Sequence, residues 1–379
     1  MKVHRALRSS AALVVVAATL VAGCGSGSDS SDSATAGTPS GSAKADKPAA
    51  QQLLAPYTGK PSAFPVDQPL PKPLAAGTKL GFLQCVTPIC GVFAQALQPA
   101  AKTLGAQLDV VKAGASADEL QSAMSSLIEK QPDGLIIPGI EPATISGQFE
   151  QAQAAGITMV ANGIMNADRY GVQAQTLGRP AAELAGKLMA AWVVDRKGDD
   201  AQTVFYNTPE LSFSAPIKDG FAATMKQLCP SCSVRYVDVP IATIGNTAPA
   251  HVASDLQSHP KSNVVVFASS EASTGLPAAL KTAGLNVDSI GFAPGPANLQ
   301  DIKDGKMTAG VAVDVATTIW TLADEMARLL QKAPLTAGEK TTIPVMQVVA
   351  ADDLDYDVSK GWSGYPDFQQ RFAKLWKGE

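Results

Sequence analysis

Histidine is nearly missing from this chain of 379 residues: there are three, and one of them, His4, stands in the leader. His251 and His259 fall on a predicted helix and its exit, at surface positions, so neither is set up as a catalytic base. No GxSxG, HExxH, P-loop or GxGxxG segment occurs, which removes the best-marked hydrolase and nucleotide-binding chemistries. Runs of Lys or Arg are absent past the leader and the net charge is -4, which argues against a nucleic-acid footprint. Past the leader there is also no apolar stretch near the ~20 residues a membrane-spanning helix needs. No enzyme activity, cofactor or metal site is expected.

What is present begins with an export signal. Lys2, Arg5 and Arg8 precede the apolar run Ala11 to Val21, which suits a signal-peptide core and is too short to span a bilayer. It ends in Val21-Ala22-Gly23-Cys24, which resembles a bacterial lipobox. That resemblance implies cleavage after residue 23, lipid on Cys24, and a mature protein held to the outer face of the cell membrane. Residues 25–50 are almost entirely small or polar. They cannot bury enough apolar surface to offset their ordering entropy, so 24–60 is expected to be a lipidated cysteine and flexible tether. About 300 residues remain, enough for two lobes.

Of five cysteines, Cys24 is taken by the lipobox, leaving Cys85 with Cys90 and Cys229 with Cys232. In an exported chain two local disulfides are the expectation. A four-thiolate zinc site would use the same spacings, but the pairs fall in different predicted lobes. Cys229-Pro-Ser-Cys232 also has thiol-redox spacing, yet it follows a helix where a redox motif opens one.

From Lys79 the chain alternates short apolar runs with amphipathic stretches. Strands are predicted at 79–85, 107–111, 133–138 and 157–161, with helices between them over 93–104, 116–130 and 142–155. Ser116 and Glu119 form a capping box. The rhythm then repeats: helix 179–195, strand 203–206, helix 217–228, strand 234–239, a helix within 251–258, strand 263–268, helix 274–283 and strand 289–293. Short links punctuated by Gly and Pro predict parallel sheets with helices on both faces. Two such halves make an α/β chain of two doubly wound parallel-sheet lobes with a ligand cleft between them.

In the order of these elements, residues 78–351 resemble the type I periplasmic binding proteins of the ribose and galactose branch. The best-marked stretches are 79–105, 133–138, 212–225, 264–284 and 290–311. The resemblance implies a three-strand hinge crossed near 175–178, 293–295 and 343–347. Lobe 1 is then 78–176 with 294–343, and lobe 2 is 177–293 with 344–379. The aromatic tail, Tyr356, Trp362, Tyr365, Phe368, Phe372 and Trp376, is expected on lobe 2. The partners implied are a small-molecule ligand and the permease of an ABC importer, with the receptor acting as a monomer. A sensor feeding a membrane signalling protein is the other reading of such a module. LacI-type repressors share the fold but carry an N-terminal helix-turn-helix, where this chain has a lipobox and tether.

The sequence departs from that branch at its sugar contacts. Where sugar receptors read Asn-Asn-Pro-Phe-Phe, this chain has Val86-Thr87-Pro88-Ile89-Cys90. Their Asp-Arg pair aligns with Asn162-Gly163, their Arg before the Gly-Phe of a lobe 2 helix with Ile217, their Asn-Asp with Ser269-Ser270, and their Gly-Phe-Asp turn with Gly291-Phe292-Ala293. The polar candidates for ligand contact are Gln84, Thr87, Asn162, Asn207, Ser269, Ser270 and Asp314. The apolar ones are Ile89, Phe93, Tyr206, Phe213 and Ile217. Glu210 and Glu271 could share the cleft, but two carboxylates alone do not make an active site. A ligand less hydroxylated than a simple sugar is expected; the alternative is a sugar or polyol receptor of the same transporter class.

Overall fold

A computed structural model describes residues 44–61 and 63–377. The lipobox, Cys24 and most of the expected tether lie outside the described residues.

The first described element, α1 (Lys47–Leu54), starts at Asp46, whose carboxylate accepts from the Ala49 N–H. Then β1 (Lys79–Gln84), α2 (Pro88–Leu104), β2 (Gln107–Lys112), α3 (Ala117–Glu129), β3 (Gly134–Ile137), α4 (Ser146–Ala154), β4 (Thr158–Asn162) and β5 (Ala174–Thr176) build lobe 1. The capping box of Ser116 and Glu119 opens α3 as its sequence requires. Lobe 2 follows with α5 (Arg179–Lys197), β6 (Gln202–Asn207), α6 (Ser214–Leu228), β7 (Ser233–Asp238), α7 (Ala248–Ser258), β8 (Val264–Phe267), α8 (Leu276–Ala283), β9 (Asp288–Phe292), α9 (Pro296–Lys303) and β10 (Ala309–Val313). The chain ends with α10 (Val315–Leu330), α11 (Ala337–Lys340), β11 (Met346–Val349) and α12 (Phe368–Lys377).

The strands make two sheets, ordered β2-β1-β3-β4-β5 and β11-β10-β9-β8-β6-β7. All pairs are parallel except β10 with β11. Every residue of β3, β8 and β10 is buried, because helices cover both faces of these sheets and leave the strands no wet side. The edge strands β2 and β7 carry exposed positions instead.

In lobe 2, α5 and α6 pack with almost no gap. A Cβ on Gly186 would lie 2.0 Å from the Ile217 carbonyl oxygen, and one on Gly220 would lie 2.2 Å from that of Glu183. Only glycine permits that approach.

The lobe boundaries differ from those expected. β10 pairs with β9 in the second sheet, and α9 packs beside it with Leu299, Ile302 and Ala312 in one cluster. The second crossing therefore falls at Val313–Val315 rather than at 293–295, and residues 294–313 belong to lobe 2. α10 then returns to lobe 1, packing on α2, β4 and β5. The first and third crossings meet where the Gly178 N–H donates to the Thr342 carbonyl at 3.1 Å. Leu177 and Thr342, next to that bond, both adopt left-handed backbone, with φ of 57° and 58°. For residues with a Cβ this is strained, so the hinge holds conformations its packing must impose.

Both terminal segments add passages between the lobes. Residues 47–54, expected as tether, form a helix that buries Ala50 and Leu54 against α5, while Phe64, Val66 and Leu70 pack on lobe 1. The tail is likewise divided. Trp362 and Tyr356 pack on lobe 2, but Phe368, Phe372 and Trp376 pack on lobe 1, where Trp376 stacks on Trp320 at 5.0 Å. The expectation that the whole aromatic set covers lobe 2 fails because α10 presents Trp320, Ala323 and Ala327 as an open apolar face for α12.

Beneath this junction Arg328 bonds Asp324 at 2.5 Å, approaches Glu339 at 3.3 Å and donates to the Gln68 carbonyl. Trp376 Nε1 donates to Asp324 at 2.6 Å. Glu325 is fully buried beside them, and neither of its carboxylate oxygens has a partner.

Candidate ligand-binding site

The carboxyl ends of the parallel strands in both lobes face a common cavity of about 810 Å³, a volume suited to a small-molecule ligand. Its lobe 1 wall begins where β1 runs into α2. The Cys85–Cys90 disulfide ties the strand end to the first helical turn, so Thr87 and Ile89 are held at the mouth. The second disulfide, Cys229–Cys232, lies in lobe 2 between α6 and β7, away from the cavity. Both pairings match the spacing-based expectation.

Among the described residues, two hydrogen bonds join the lobes across this cavity. Ser212 Oγ donates to the Gly163 carbonyl at 2.6 Å, and the Ile89 N–H donates to Glu271 Oε1 at 3.3 Å. Phe213 lies against the backbone of lobe 1: a Cβ on Gly139 would stand 3.5 Å from its ring, and one on Gly163 3.4 Å. Gly163 also has φ of 78°. A side chain here would need strained backbone and would stand against the Phe213 ring.

Six of the expected contacts do line the cavity: Thr87, Ile89, Phe93, Asn162, Phe213 and Ser269. The other six do not. Tyr206 points to the opposite face of β6, where its hydroxyl donates to Asp255 at 2.7 Å and its ring stacks on Phe267. Asp255 also pairs with Arg235 at 2.7 Å, and burial, with the Tyr206–Asp255 hydrogen bond, raises the Tyr206 phenol. Asn207 bonds Asp238 and Ser214, fastening the start of α6. Ile217 is fully buried between α5 and α6. Ser270 backs onto Gly291, and its carbonyl accepts from Ser273. Gln84 ends β1 half-buried outside the lining.

Asp314 is buried at the second crossing rather than in the cleft. It caps α10 through Thr317 and gathers the N–H groups of Gly364 and Tyr365 at 2.9 and 3.2 Å. Its role is to clip the tail to the hinge. Burial raises its carboxyl, and these donors work against that rise.

The sequence reading missed much of the apolar wall, including Leu177, Leu211, Ile241, Ile244, Phe292 and Val313. Ile241 and Ile244 carried a usable signal, being large apolar residues in the loop that follows β7. The ionisable groups on the cavity wall are Glu141, Glu210 and Glu271, with no Lys, Arg or His. Glu141 and Glu210 are exposed, and each accepts one nearby backbone N–H. Glu271 is largely sheltered, and burial pushes its carboxyl up, only partly offset by the Ile89 N–H. Among the described residues no three His, Cys, Asp or Glu side chains are placed to hold a metal ion. The arrangement can enclose an apolar molecule and hold it by a few polar groups.

Residues 88–334 match the family model of the periplasmic binding protein domain. The chain is similar to the ribose import binding protein of Bacillus subtilis (strain 168), 26% identical over 219 residues, which cover 57% of this chain and 69% of that protein. Its fold is similar to that of a 5-methylthioribose transporter solute binding protein from Thermotoga lettingae, with a TM-score of 0.65 and 14% identity, covering 81% of this chain and 99% of that one. A LacI transcriptional regulator from Bacteroides fragilis, described as putative, gives a TM-score of 0.65 at 14% identity over 74% of this chain and 99% of that chain.

Proposed function

Since the chain belongs to the periplasmic binding protein domain family, a family of solute-binding proteins rather than enzymes, we propose that it is the lipid-anchored receptor of an ABC importer. It captures a small solute between its lobes outside the cytoplasm and delivers it to the permease. The ligand is less hydroxylated than a pentose or hexose, with an apolar body and one or two polar ends.

One observation carries the ligand reading: the cavity wall is mainly aliphatic and aromatic, with no basic side chain. A sugar bears a hydroxyl on nearly every carbon, and enclosure strips water from each of them. Every hydroxyl left without a partner costs ~1–3 kcal/mol. Two or three such losses turn micromolar binding into millimolar. Calorimetry with common pentoses, hexoses and disaccharides tests this, with no binding tighter than millimolar expected. Micromolar binding of any one would refute it. The anchor is supported by the Val21-Ala22-Gly23-Cys24 sequence. A Cys24→Ala chain should leave the membrane fraction, and an unlipidated Cys24 in wild-type membranes would refute the anchor.

A further inference from the structure

We infer that a polar end of this ligand is a cation, an amine or related ammonium group on an apolar body, and that Glu271 is the carboxylate that receives it. The inference rests on the receptor reading above and narrows its ligand class.

The first ground is the sign of the cavity. Its ionisable lining groups are Glu141, Glu210 and Glu271. An anionic or zwitterionic ligand would bring its own carboxylate to a cavity that is lined by three others, one of them sheltered, and no base. Such a charge is not buried without a partner. A cation meets the opposite situation.

The second ground is that the three acids are not equivalent. Glu141 and Glu210 are exposed, and each directs Oε1 to an N–H close at hand, Ala143 at 3.4 Å and Ile241 at 3.3 Å. Glu271 is sheltered between the lobes with a single N–H, that of Ile89 at 3.3 Å, on Oε1. Its Oε2 accepts no hydrogen bond among the described residues. A carboxylate with an open oxygen in an apolar cavity is stabilised by an arriving cation. Phe93 and Phe213 line the same cavity, and aromatic rings suit an ammonium group as well as an apolar body.

Glu271 has a competing role as a clasp between lobes through the Ile89 N–H. A clasp acts on every ligand alike, whereas a counter-ion discriminates by charge. Three matched probes separate these roles by calorimetry: 2-phenylethylamine, 2-phenylethanol and 3-phenylpropionate. The amine should bind at least about tenfold more tightly than either of the others. Glu271→Gln should erase that preference and leave the alcohol unchanged, with thermal unfolding showing that the variant is folded. In the wild type, amine affinity should fall on acidification, because burial raises Glu271 and protonation removes the counter-ion. Equal binding of the amine and the alcohol, preference for the propionate, or no binding by any probe at millimolar concentration would overturn the inference. So would equal loss of all three in Glu271→Gln, which would leave only the clasp. Tight binding of ribose or a hexose would instead sink the apolar-ligand reading itself, so the two failures are distinguishable.

Discussion

Replacing Glu325 by Gln should stabilise the protein at neutral pH and flatten its pH dependence. Glu325 lies on the buried face of α10 with both carboxylate oxygens unpartnered. The nearest base, Arg328, is already engaged by Asp324 at 2.5 Å and Glu339 at 3.3 Å. If all three acids were ionised, three negative charges would share one guanidinium. Burial first, then Glu339 and Asp324, hold the Glu325 carboxyl well above its ordinary 4.5. The folded state therefore keeps a proton that the unfolded chain releases above about pH 4.5. Stability falls as pH rises from there, by up to ~1.4 kcal/mol per pH unit for that one proton. Asp324 is raised in the same direction by burial and Glu339, so the wild-type slope has two sources, and the Gln variant removes one. Thermal unfolding at pH 5, 6, 7 and 8 reads the difference, with each kcal/mol appearing as roughly 1–2 °C in Tm for a chain of this size. The two proteins should converge near pH 5 and separate in favour of the variant by pH 8. Parallel curves, or a variant less stable than wild type at pH 8, would refute the reasoning.

Three other predictions follow from packing. Gly186→Ala drives a methyl to within 2.0 Å of the Ile217 carbonyl oxygen and 2.6 Å of the Phe221 nitrogen; it should cost about 3 kcal/mol in denaturant unfolding, and an unchanged midpoint would contradict the α5–α6 contact. Tyr206→Phe should cost ~1 kcal/mol of stability through loss of the bond to Asp255 while leaving ligand affinity alone; weakened binding would return Tyr206 to the cleft. Changing Cys85 and Cys90 together to Ser should cost ~2 kcal/mol and weaken ligand binding, since the loop holding Thr87 and Ile89 is no longer tied to α2. Peptide mapping without reductant should first show both local pairs, and four free thiols would be the contrary result.

The strand-and-helix order, the capping box of Ser116 and Glu119, and both disulfides were legible in the sequence because each depends on residues within about a dozen positions of one another. The closeness of Gly163 to the Phe213 ring from the other lobe was not legible, because it exists only in the folded chain. The facing of side chains at the cleft was harder to read. Strands such as β6 and β8 are covered on both faces, so their apolar runs carry no sign of which parity looks at the cavity. Tyr206 was misplaced for that reason, whereas Asn207, of the other parity, is taken up by Asp238 and Ser214. Lobe membership past residue 293 also needed the fold, since an apolar strand like β10 suits either sheet until β9 pairs with it. The sequence by itself determined the alternation of elements and the chemical kinds of residue available to a cleft. Tertiary structure alone decided the charge environment of Glu271, because its burial and its bond to Ile89, 182 residues away, exist only when the lobes meet.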